Sequence, residues 1–239
     1  MRIKEQFEKS AISYEEYSIV QNLGALALIN EIKEPINSII DLGCGSGRVY
    51  KELKRKNIKF NRFYGIDFAK SMINLHPKES NIELIVGDFN KKELFERLQK
   101  LNANTLISAS ALQWAKDLDF TFKECAKSAK MGYFFIFSSN TFKTIHKTIN
   151  IKSPIWDKID IINAFQKSFK PQKIEIINKN LEFNSTLDML KYIKKSGVSG
   201  GLNLPYKKMK YLIENYPLNY LEFETVLLVG ESRELVDSD

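Results

Sequence analysis

The chain is expected to fold as an α/β domain, a seven-stranded and mostly parallel sheet with helices on both faces and a helical cap. Three observations carry that expectation. The stretch Ile39-Ile40-Asp41-Leu42-Gly43-Cys44-Gly45-Ser46-Gly47 reads as a buried strand, a tight turn and a helix start. An apolar run there ends in glycines at every second position, and a helical run through Val49, Tyr50 and Leu53 follows. Short apolar strands at 39–42, 63–67, 83–86, 105–109 and 133–137 then alternate with helical runs at 48–56, 69–75, 91–101 and 117–130. That rhythm produces parallel strands joined by crossover helices. Beyond them, Tyr220 to Val229 reads as a long strand pairing antiparallel with part of 173–184.

The amino-terminal element comes first. Residues 5–33 read as helix, with Phe7, Ala11, Tyr14, Val20, Leu23, Leu26 and Ile29 forming an apolar stripe. Tyr14 and Gln21 are seven apart and share a face. Tyr14 there either anchors the helix on the core or reaches a site. In the turn, glycine serves where the backbone takes positive φ or approaches a ligand without a Cβ in the way. The helix that follows offers free N–H groups to an anion. Asp67 ends the second strand, about twenty residues on, where an acid can hold a ribose diol. The GxGxG pattern followed by Arg48 lacks the third glycine of a dinucleotide fingerprint, and no GK[ST] follows to make a P-loop.

The third strand ends in Gly87-Asp88-Phe89, where Asp88 can accept from an adenine amino group beside the apolar wall of Phe89. Asp88 or Asn90 would equally serve as a helix N-cap before 91–100. The fourth strand runs into Ser108-Ala109-Ser110-Ala111-Leu112-Gln113-Trp114, and Trp114 there is either core or the border of a pocket. Ligands in open parallel sheets sit at the carboxyl ends of the strands, and all these polar candidates fall there. His76 and His146 are lone histidines, a type more often solvated or core than catalytic.

At 239 residues and 44% hydrophobic content, one domain over 1–239 is expected, with a cap built from 1–33, about 141–173 and about 185–215. The formal net charge of +7 suits an acidic partner, whether nucleic acid, membrane surface or acidic protein, or else reflects a lysine-rich background composition. The lysines concentrate late. Lys143, Lys147, Lys152, Lys158, Lys167, Lys170 and Lys173 face only Asp157 and Asp160 over 141–173, and 191–210 carries six lysines and no acid. The tail from Glu231 to Asp239 is acidic and expected to be loose. Two cysteines, Cys44 in the turn and Cys125 in a predicted helix, suggest neither a disulfide framework nor a zinc site. No apolar run approaches a membrane span, and Met1-Arg2-Ile3-Lys4-Glu5 does not open a signal peptide, so a cytoplasmic protein is expected.

The pattern D-x-G-x-G-x-G at 41–47 resembles the first motif of class I S-adenosylmethionine methyltransferases, whose fold is Rossmann-like. The resemblance implies that S-adenosylmethionine is the cofactor and that the turn, with Asp41, Gly43, Cys44, Gly45 and Gly47, lies against its methionine part. Asp67 with Phe68 would then bind the ribose and Asp88 with Phe89 the adenine. Ser108 and Ala109 complete the implied cofactor set, together with Gln21 from the first helix. Gln113 and Trp114 stand where acceptor and methyl group meet in that family.

More closely, the chain is similar to the BioC-type malonyl-acyl carrier protein O-methyltransferases of biotin synthesis. Phe7, Ala11, Tyr14 and Gln21 resemble the family's F-x-x-x-A-x-x-Y followed by Gln. Asp67, Ser71 and Met72 resemble its D-x-S-x-x-M, although Phe68-Ala69 stands where a serine is expected sooner. Residues 110–114 resemble S-N-L-A-x-Q-W, and 185–197 resemble S-x-x-x-L-L-x-x-I-K-x-x-G. The insert opening Thr141-Phe142-Lys143 departs from the family's TLG-type start. The resemblance implies methyl esterification of the free carboxyl of malonyl-acyl carrier protein or malonyl-CoA. A carboxylate is already ionised at neutral pH, so alignment and a cation are needed rather than a base. Lys147 is the first choice for that cation, and Tyr14 is expected to close over the methyl group. The lysine-rich cap would meet the acidic carrier protein. Two other readings stand behind this one: methylation of another small carboxylate or phenol, and a non-catalytic RNA-binding module using Phe142, Trp156 and Tyr206 among the lysines.

Overall fold

A computed structural model describes residues 19–33, 35–196 and 205–235. The elements follow in the order α1 (Ile19–Asn30), β1 (Ser38–Leu42), α2 (Arg48–Arg55), β2 (Arg62–Asp67), α3 (Lys70–Leu75), β3 (Ile82–Val86) and α4 (Lys92–Leu98). Then come β4 (Ala103–Ala109), α5 (Leu118–Ser128), β5 (Ala129–Phe137), α6 (Lys143–Thr148), α7 (Lys158–Ser168) and β6 (Phe169–Glu182). The chain closes with α8 (Thr186–Ser196), α9 (Tyr206–Asn215) and β7 (Tyr220–Ser232). The seven strands form one sheet in the order β3-β2-β1-β4-β5-β7-β6. The first five run parallel, and β7 lies antiparallel between β5 and β6. Strand order therefore reverses between the neighbours β1 and β4, the place where such sheets open a crevice.

Alternation along each strand builds two cores. Ile39, Ile107, Tyr133, Phe135, Phe137, Leu227 and Val229 face one way, where they pack with α1, α2 and residues of α6, α8 and α9. Ile40, Leu42, Leu106, Phe134, Ile136, Val226 and Leu228 face the other way, against α4, α5 and α7. On that side Phe122, Phe134, Phe165 and Phe169 make a cluster of edge-on and stacked rings. Asp117 caps α5 by accepting from the Phe120 N–H at 2.9 Å, and Asp157 caps α7 by accepting from Ile159 at 2.9 Å.

The expected strands and the expected long antiparallel pair are present. Three boundaries differ. β5 begins at Ala129, inside the span expected to be helix, because Ala129 and Met131 pair with Ala103 and Thr105 of β4. β7 continues through Glu231 and Ser232, expected to be loose, because these pair with Lys170 and Phe169. The segment expected to supply cap over 141–173 divides: α6 lies on the first face, whereas α7 buries Ile161, Ala164 and Phe165 against α5 and the sheet. Its apolar stripe makes it a layer helix. Of the described residues, no helix is long and apolar enough to cross a membrane.

Candidate active site

The turn after β1 is held by its neighbours rather than by itself. Gly43, Gly45 and Gly47 take φ of 83°, 54° and 88°, a conformation that side chains disfavour. The N–H groups of Gly43 and Cys44 both donate to the Ile66 carbonyl at 2.8 Å, tying the end of β1 to the end of β2. Gly45 N–H donates to Asp67 Oδ2 at 3.0 Å, and Ala69 N–H donates to Asp67 Oδ1 at 2.8 Å. Two main-chain donors thus set the plane of this carboxylate. An oxygen accepting one amide can still accept a hydroxyl.

Asp67 borders a cavity of about 260 Å³ at the carboxyl ends of β1 to β4. Gly43, Cys44 and Gly45 form its floor, Phe68 and Met72 lie beside Asp67, and Asp88, Phe89 and Asn90 form the next wall. Asp88 is not the cap of α4, whose N-cap is Lys91 with no side-chain bond. Its Oδ1 instead accepts from the Asn90 main-chain N–H at 2.9 Å and side-chain amide at 3.0 Å, so a local turn faces it to the cavity.

The fourth wall is the segment after β4, where Ala109, Ser110, Ala111, Trp114 and Lys116 line the cavity. It meets the glycine turn directly, since a Cβ at Gly43 would overlap the Ala111 methyl. The Cys44 thiol is pushed well up by burial and by the nearby charges of Asp41 and Asp67, so it stays protonated and is no nucleophile at neutral pH.

Several expected residues are not among those that line the cavity. Ser108 is fully buried and donates to the Leu42 carbonyl at 2.6 Å, joining the ends of β1 and β4. Gly47 packs against His76 and Pro77 at the start of α2. Gln113 donates to the Ser110 carbonyl at 2.7 Å and so shapes the wall without facing the cavity. Gln21 donates to the Ser196 carbonyl at 3.0 Å, fastening α1 to the end of α8. Asp41 is buried beneath the turn, with neither oxygen hydrogen-bonded among the described residues, and burial together with the Asp67 charge holds its carboxyl well above the usual range. Lys147 is exposed on α6 and off the cavity, because the helix turns Ile145 and His146 inward. The cations on the wall are Arg48 and Lys116. The segment-wide resemblance around 110–114 signalled that wall, but neither cation was singled out. Tyr14 lies outside the described residues.

A family model for a methyltransferase domain matches residues 34–214. The chain belongs to that methyltransferase family. Among curated relatives, this methyltransferase is 23% identical to the malonyl-[acyl-carrier protein] O-methyltransferase of Calditerrivibrio nitroreducens, over 93% of this chain and 89% of the relative. It is 28% identical to the protein of that name from Acinetobacter baylyi, again over 93% and 89%. In fold it is similar to a chain from the complex between the Haloferax volcanii Trm112 methyltransferase activator and a methyltransferase, with a TM-score of 0.61, 17% identity and coverage of 95% and 97%. Geranyl diphosphate methyltransferase in complex with S-adenosylmethionine gives a TM-score of 0.53 at 14% identity, covering 88% of this chain and 85% of that one.

The methyl donor of this methyltransferase is S-adenosylmethionine. The site fits it: a glycine cradle, a carboxylate preset for a diol, an apolar wall at Phe89 and Met72, and the buried Asp41 carboxyl under the turn. Asp67→Ala is expected to weaken S-adenosylhomocysteine binding by about 1.5–3 kcal/mol, the worth of a hydrogen bond to a charged group. Calorimetry reads it, and unchanged affinity would remove Asp67 from the cofactor site.

Proposed function

We propose that this methyltransferase esterifies the free carboxyl of a malonyl thioester carried by an acyl carrier protein, in the cytoplasm and on the route to biotin. The observation that carries the reading is similarity to malonyl-[acyl-carrier protein] O-methyltransferases along 93% of the chain, across both the sheet and the later segments. The site chemistry supports it. When bound, S-adenosylmethionine supplies an electrophilic methyl on a positively charged sulfur. Its methyl would pass directly to a carboxylate oxygen with the C–S electron pair left on sulfur, so the protein's residues would have no proton to move. The protein's part is to align the carboxylate with the methyl and exclude water, an effect of proximity.

The exposed face of α9, with Tyr206, Lys207, Met209 and Lys210, is the surface we assign to the acidic carrier. The RNA-binding alternative loses its stacking platform. Phe142 is buried against Phe223, and Trp156 is half-buried against the α5 and α7 side of the core, which leaves Tyr206 exposed. Methyl-labelled cofactor should transfer label to malonyl-carrier protein and not to acetyl-carrier protein, with malonyl-CoA alongside to compare carriers. Equal labelling of the malonyl and acetyl forms would exclude the carboxylate as acceptor.

A further inference from the structure

We propose that the outer edge of β6 is a self-association surface, pairing antiparallel with the same edge of a second copy so that Glu175 of each copy lies opposite Lys179 of the other. The inference is independent of which acceptor is methylated.

The sheet ends at β6, a strand of 14 residues where about five or six is usual. A long open edge presents unpaired main-chain groups and is a template for another strand. Which groups are open follows from β7. Phe183 N–H donates to the Asn219 carbonyl at 2.8 Å, and the Ile177 carbonyl accepts from Thr225 Oγ1 at 3.3 Å, so the odd-numbered residues turn their main chain inward to β7. On β7, the Glu222 and Glu224 carbonyls accept from the Phe142 and Ser138 N–H groups at 2.8 and 2.9 Å, on the side away from β6. These two glutamates stand opposite Asn180 and Asn178, which are therefore non-hydrogen-bonded positions of the ladder. Ile174, Ile176, Asn178, Asn180 and Glu182 thus point their N–H and carbonyl groups outward from the sheet. The register irregularity between Pro171 and Lys173 closes this run at its start.

A second β6 must bring even-numbered residues opposite even-numbered ones, because such facing pairs exchange both main-chain bonds. The two-fold registers near the middle of the run differ in their charges. Centring on Ile176 sets Lys173 against Lys179, and centring on Asn178 sets Glu175 against Leu181. Centring on Ile177 puts Glu175 against Lys179 on both sides of the axis, in the pairs where side chains approach most closely. Lys179 is exposed and enters no ion pair among the described residues, while Glu175 is exposed and already reaches Lys173 at 3.0 Å. The same register lays Ile177 against its counterpart and brings Ile176, 42% exposed, diagonally across from its own copy. β5 and β7 separate this edge from β4, so pairing leaves the cavity at the ends of β1 to β4 open.

Sedimentation velocity of the full chain, over about a hundredfold range of concentration, should show monomer converting to dimer. Glu175→Lys and Lys179→Glu should each lose the dimer across that range, because like charges then face each other. Mixed in equal amounts, the two variants should dimerise, since lysines at both positions of one copy meet glutamates at both positions of the other. Asn178→Pro removes an outward N–H and spares the ladder with β7, so it should be monomeric too. All three should keep wild-type S-adenosylhomocysteine affinity by calorimetry, which shows that they fold. A wild-type chain that stays monomeric throughout would overturn the proposal, as would single charge variants that dimerise like wild type or a mixture of them that stays monomeric.

Discussion

Gly43→Val is expected to abolish measurable retention of S-adenosylhomocysteine, at least a hundredfold loss, and to destabilise the protein by about 3 kcal/mol or more. Two causes act at one position. Gly43 sits at a φ of 83°, where a β-branched residue is a severe outlier, and its Cβ would overlap the Ala111 methyl of the opposite wall. The turn cannot slide away, because the Gly43 and Cys44 amides are both committed to the Ile66 carbonyl. Either the turn or the segment after β4 must move, and both border the cavity. Gly45→Ala is the control for fold stability. Its φ is 54° and no atom lies within 4 Å of the added Cβ, so it costs only the left-handed conformation, about 1–2 kcal/mol. Calorimetry with S-adenosylhomocysteine and chemical denaturation read the two effects. A Gly43→Val protein that binds within threefold of wild type would show that the turn does not shape the cofactor site.

Glu224→Ala should cost about 3 kcal/mol, because it dismantles a buried network that stitches the segment after β5 onto β7. Glu224 accepts from Ser138 Oγ at 2.5 Å, from the Asn140 amide at 2.9 Å and from Lys158 Nζ at 2.9 Å. Burial alone would raise its carboxyl; the bonds from Ser138, Lys158 and Asn140 outweigh that and hold it below the ordinary 4.5. The sign follows from linkage. A depressed carboxyl contributes stability that is present above its unfolded value and lost as pH falls through its folded value. Unfolding midpoints measured between pH 7 and pH 3 should therefore fall toward acid more steeply in wild type than in Glu224→Ala. Parallel profiles would mean that the network does not depend on the ionised form.

The same stitching shows where local reading stops. The glycine turn, Asp67 and the Asp88-Phe89 pair were legible because each sits at the end of a recognisable strand, and period and punctuation are local properties. Asp88 left two roles open in the sequence. The structure removes the helix-cap role, since Lys91 is the N-cap of α4, and puts Asp88 on the cavity wall. The lysine-rich stretch did not tell which lysine would lie near the cavity, and Lys147 is turned to solvent instead.

By itself, the sequence determined the doubly covered parallel sheet, the antiparallel pair at its far edge and the strand ends at which the cavity lies. Alternation along each strand and glycine at each left-handed position suffice for that. The tertiary structure alone decided the rest: which residues of 108–116 line the cavity, that α7 joins the sheet layer, and that Lys116 and Arg48 line the cavity where Lys147 does not. Those outcomes depend on hydrogen bonds between segments far apart in the chain, such as Trp156 to Ala115 and Asn90 to Lys116, which no local pattern encodes.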